Sequence, residues 1–130
     1  MKKPATLAIS LILACSSAQA AINGVWSTKE GCDWITKFNK DPSAVSPDNF
    51  FDFMYLSKEG IEGYEWGCRF VRSYDGEYGE TVNIASCSAE GDLWPQMMVT
   101  SYDDKQGWGV SILNNKMEPE RVVFPARCDG

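Results

Sequence analysis

The side chains of this chain that could do chemistry are its cysteines, its tryptophans and its carboxylates; it contains no histidine. Without an imidazole there is no Ser-His-Asp or Cys-His nucleophile and no His-ligated zinc. Cys32, Cys68, Cys87 and Cys128 stand 36, 19 and 41 residues apart, with no Cys-x-x-Cys knuckle. An even, widely spaced set of this kind reads as two disulfides rather than a metal site, and once oxidised it leaves no thiolate. Glu65, Glu80, Glu90 and Asp92 are of the type that pairs in glycoside hydrolysis. A chain with 18 acidic residues supplies such pairs by chance, and a small domain has little cleft for a polysaccharide. Asp103-Asp104, close to Asp92 in sequence, offers oxygen ligands to calcium, but the same residues suit a solvated hairpin turn. No Gly-x-Gly-x-x-Gly, no Gly-Lys-Ser/Thr and no twelve-residue calcium loop occurs. The expectation is a protein with no catalytic set, no cofactor and no metal.

Five tryptophans remain to be placed. Trp26, Trp34 and Trp66 sit among apolar neighbours and read as core. Trp94 in Leu93-Trp94-Pro95 and Trp108 in Gly107-Trp108-Gly109 are set by proline and glycine at strand ends. There an indole can anchor a partner, so Trp94 and Trp108 are the candidate partner-binding residues, with core packing as the alternative for each.

The opening Met1-Lys2-Lys3, the apolar run Leu7–Ala14 and the small-x-small triplet Ala18-Gln19-Ala20 have the order of a cleavable export signal. That divides the chain into a signal peptide, 1–20, and a single domain, 21–130. The apolar run is far short of the roughly 20 residues that span a bilayer. The expected location is periplasmic or secreted; a lipoprotein anchored through Cys15, after Leu13-Ala14, is the minor alternative. Lys2 and Lys3 leave with the signal, so residues 21–130 hold ten of the 12 basic and all 18 acidic side chains, a formal charge of −8. Such a surface repels nucleic acid and attracts cationic partners at low salt.

The elements that position these residues read mainly as strands. Helical spacing occurs once, where Trp34, Ile35 and Phe38 share a face after Asp33, a possible cap; this predicts a turn or two of helix. Asp41-Pro42-Ser43 and Ser46-Pro47-Asp48 mark a loop. Strands are expected at Ile22–Trp26, Phe51–Tyr55, Tyr64–Phe70, Thr81–Cys87, Met97–Tyr102, Trp108–Leu113 and Arg121–Phe124, broken at Lys58-Glu59-Gly60, Ser73–Gly79, Glu90-Gly91-Asp92, Asp103–Gly107 and Asn114-Asn115. About seven strands with frequent turns predict a mainly β fold, a small antiparallel barrel or sandwich with one short helix and two disulfides. The cysteine pairing stays open. Cys68 shares a face with Trp66 and Phe70, whereas Cys87 alternates with Val82 and Ile84; if these two face the core, Cys87 points away from Cys68 unless a bulge intervenes.

The segment Gly63-Tyr64-Glu65-Trp66-Gly67-Cys68-Arg69-Phe70, with Gly24-Val25-Trp26, Cys87 and Cys128, resembles small exported proteins of alphaproteobacteria, mostly of unassigned function. The shared pattern is one of packing and disulfides, so it implies no catalytic residue. Two functions fit the whole. One is a cell-envelope binding protein whose acidic surface holds or inhibits a cationic protein. The other is a lipocalin-like carrier with a small apolar ligand inside a β-barrel, suggested by Gly24-x-Trp26 on the first strand.

Overall fold

The computed structural model describes residues 21–45, 53–63, 65–113 and 119–128. The segment expected to be an export signal, with Cys15, and the residues Ser46-Pro47-Asp48, Phe51, Tyr64 and Asn114-Asn115 lie outside these. No helix among the described residues is long and apolar enough to cross a membrane.

Among the described residues, nine strands form one antiparallel sheet: β1 (Trp26–Ser27), β2 (Tyr55–Ser57), β3 (Gly60–Gly63), β4 (Trp66–Asp75), β5 (Thr81–Ala89), β6 (Asp92–Asp103), β7 (Gly107–Leu113), β8 (Pro119–Phe124) and β9 (Ala126–Arg127). Their spatial order is β8-β7-β6-β5-β4-β3-β2-β1-β9. The strands at the two ends of that order are consecutive in the chain. The segment 119–127 pairs first with β7 and, past Pro125, with β1, through Trp26↔Arg127 and Ser27↔Ala126. Proline interrupts pairing because it has no N–H to give a ladder. The sheet is thereby rolled into a nearly closed barrel, the barrel alternative of the expected fold class.

Helix α1 (Lys29–Lys40) is longer than the sequence pattern predicts, and its cap is Thr28 rather than Asp33. The Thr28 hydroxyl accepts from the Gly31 N–H at 3.0 Å, satisfying one of the otherwise orphaned first-turn donors. Trp34 is buried and stacks on Phe38, one turn later. A 3₁₀ turn (Pro42–Ala44) follows.

The cysteines pair as Cys32–Cys128 and Cys68–Cys87. The second pair corrects the face assigned to β5. Cys68 and Cys87 stand directly opposite each other, and the inward side chains of β5 are Asn83, Ala85 and Cys87. Ile84 faces out, opposite Arg72 and Met97. Apolar side chains occupy both faces of this strand, so alternation alone could not choose between them. What makes the observed choice workable is that buried Asn83 is hydrogen-bonded: it accepts from the Ser73 hydroxyl at 2.7 Å and donates to Thr100 Oγ1 at 3.1 Å. A bulge does occur on β4, between Phe70 and Arg72, beyond the disulfide.

Leu56, Ile61, Met98, Val110 and Phe124 are fully buried, and with Cys68, Ala85, Cys87 and Trp108 they form one continuous core. Leu93-Trp94-Pro95, expected before the strand, belongs to it: β6 begins at Asp92. Ser73–Asp75, expected as loop, extend β4.

Candidate functional site

The two candidate tryptophans separate. Trp108 is 4% exposed, paired across strands with Phe124 and Tyr102. It belongs to the core and offers no face to a partner. The glycines beside it admit this: Gly107 holds φ +79°, where a Cβ would meet the Phe124 carbonyl at 2.7 Å. Trp94 lies opposite Cys87 near the end of the sheet and is 38% exposed. Around it the outer surface of β4–β6 is apolar. Leu93 is 77% and Val71 68% exposed, and Ile84 and Met97 lie side by side across strands. Val71, Ile84, Leu93, Trp94 and Pro95 line one shallow cleft.

The carboxylates are distributed by topology. Alternate hairpin turns of a meander fall at the same end of the sheet, so Glu65, in the β3–β4 turn, and Glu90, in the β5–β6 turn, share one end with Asp92. Both glutamates hold left-handed backbone, φ 56° and 49°. Glu90 and Gly91 (φ 86°) are the two central residues of a tight hairpin closed by Ala89↔Asp92, for which two positive φ values match the strand twist. Glu80 lies at the opposite end. The four carboxylates of the hydrolase pattern are therefore not brought together as a set. Among the described residues no group of three or more Cys, Asp and Glu is placed to hold a metal ion.

Carboxylates stand at both ends, and at the end that holds Glu80 they come from two adjacent turns. The β4–β5 turn brings Asp75, Glu77 and Glu80, and the neighbouring β6–β7 turn brings Asp103 and Asp104, with Lys105 the one basic side chain of these two turns. Two of these carboxylates shape the turns. Asp103 Oδ1 accepts from the Lys105 and Gln106 N–H groups at 2.7 and 3.1 Å, the turn role read from Asp103-Asp104. Glu80 Oε2 accepts from the Tyr78 N–H at 2.9 Å, and the Glu80 carbonyl from the Gly76 N–H. That geometry holds Tyr78 at the tip of the hairpin, 90% exposed between Glu77 and Glu80. Sequence reading passed over Tyr78, although a bulky ring within Asp75-Gly76-Glu77-Tyr78-Gly79-Glu80, a turn with no apolar neighbour to cover it, was the available signal.

Nearby, Trp26 and Tyr102 meet edge to face with centroids 6.0 Å apart, and Tyr102 leans on Trp108 at 5.5 Å. The Trp26 indole donates to the Asn23 carbonyl at 2.8 Å. Burial pushes the Tyr55 phenol up to about 12; its hydroxyl donates to the Gly31 carbonyl at 2.8 Å, joining β2 to α1.

No protein-family model matches the chain, and neither a curated protein nor a solved structure is significantly similar to it.

Proposed function

We propose that this is an exported binding protein of the cell envelope that holds or inhibits a cationic protein. The carrying observation is the end of the barrel where two adjacent turns carry five carboxylates and an exposed tyrosine, Tyr78, stands at the tip of one of them. A rigid ring flanked by negative charge suits a partner that presents lysine or arginine beside a hydrophobic notch. The charge of −8 on residues 21–130 steers such a partner from a distance. Two disulfides keep the scaffold stiff and fit an oxidising compartment. The barrel is also compatible with carriage of a small apolar ligand. Its inward side chains pack on one another, however, so we place the function on the outside.

The test is capture of envelope and secreted proteins on the immobilised, disulfide-bonded chain at about 50 mM and about 500 mM salt. A basic protein held at low salt, released at high salt and bound several-fold more weakly by Tyr78→Ala is the expected result. An empty eluate at both salts would move the weight to the ligand carrier.

A further inference from the structure

Strand β4 is ten residues long, but its two sides are not equally covered. On one side β5 accompanies it to the end, through Asp75↔Thr81. On the other side β3 leaves it early: the last pair is Gly60↔Arg69, and one further bond runs from the Phe70 N–H to the Glu59 carbonyl at 2.8 Å. Beyond that point no strand among the described residues lies beside β4. Its remaining side chains, Val71 to Asp75, are all exposed. Among the described residues the barrel therefore carries a short open edge, and an open edge presents backbone N–H and C=O groups whose natural complement is another extended polypeptide.

Two features decide what that polypeptide is. The edge runs directly into the Asp75, Glu77 and Glu80 turn, so one end of any segment lying along it comes beside those carboxylates. Its outer side continues into the apolar surface of Ile84 and Met97. The bulge between Phe70 and Arg72 leaves only Arg72–Asp75 in regular register, and together with the Arg72 charge it blunts indiscriminate edge-to-edge pairing. A second copy of this chain brings a like net charge, which disfavours it as the occupant.

We propose that the edge of β4 at Arg72–Asp75 takes up an extended segment of the cationic partner as an added antiparallel strand. The segment has alternating apolar side chains and lysine or arginine at its N-terminal end, beside Asp75 and Glu77. The proposal rests on the reading of a cationic partner and specifies how that partner is held.

The probe is a synthetic peptide of about seven residues, two lysines followed by alternating threonine and valine, long enough for one strand. It is added to the disulfide-bonded protein, and backbone amide shifts and hydrogen exchange are followed. The expected result is shifted resonances and slowed exchange confined to amides of 71–75. The shifts should vanish with a peptide N-methylated at alternate residues, and replacing both lysines by glutamate should weaken binding about tenfold. Equal binding of the N-methylated peptide would overturn the added strand, as would undisturbed edge amides. A concentration-dependent dimer that protects 71–75 without peptide would also overturn it, by showing that the edge pairs with itself. Salt-sensitive capture of basic proteins with the edge amides unmoved would leave the cationic-partner reading standing and remove this inference alone.

Discussion

Trp94 and Trp108 carry the same indole, each near the start of its strand but at opposite ends of the sheet, and the difference between them lies in what stands opposite. Trp108 faces Phe124 across the ladder and is closed off by it, while Trp94 faces Cys87 where the sheet runs out. Truncating a fully buried aromatic costs about 3–5 kcal/mol, a large share of a small domain's stability. Trp108→Ala is accordingly expected to lower the melting temperature sharply or prevent folding, and Trp94→Ala to lower it far less; parallel thermal melts followed by circular dichroism check both. Their flanking glycine and proline were legible in the sequence as strand punctuation. Exposure was not, because it depends on the length of neighbouring strands. The same limit applies to Val82 and Ile84. Their alternation was visible, but the inward face went to Asn83 and Cys87, which are tied by hydrogen bonds and a disulfide that reach other strands.

At the level of elements, the turns were the most legible part, since Lys58-Glu59-Gly60, Glu90-Gly91 and Asp103–Gly107 carry their own backbone chemistry. The helix was underestimated: its first turn, Lys29–Cys32, shows little apolar spacing and is held by the Thr28 cap, the Cys32 disulfide and contact with β2. That contact has a pH signature. The Tyr55 phenol, raised to about 12 in the folded protein against about 10 when unfolded, keeps its proton longer in the native state. Its contribution is therefore complete below about pH 10 and is lost as pH rises towards about 12. Tyr55→Phe should be less stable at neutral pH by about 1 kcal/mol, through the lost bond to Gly31, and should show a shallower loss of stability over that alkaline window in urea titrations. Equal alkaline slopes for the two proteins would mean that the phenol is not buried as described.

For the molecule as a whole, strand number and spacing pointed to a mainly β fold. They did not distinguish barrel from sandwich, because closure depends on a single segment serving two neighbours. Residues 119–127 are that segment, and Trp26↔Arg127 joins parts of the chain nearly at opposite ends of the domain. This imposes an order in time. Hairpins β2 to β7 pair neighbours and form fast, but the ring stays open until its final strand arrives, and contacts so distant in sequence form late. Cys68–Cys87 spans 19 residues within adjacent strands and Cys32–Cys128 spans 96. Oxidative refolding with free thiols trapped at intervals should accumulate a one-disulfide species containing the short link before the long one appears. A chain interrupted before residue 119 would leave β1 and β7 as open seams. An unfinished polypeptide of this sequence is thus a sticky intermediate, and it gains its closed form only after all of it is present.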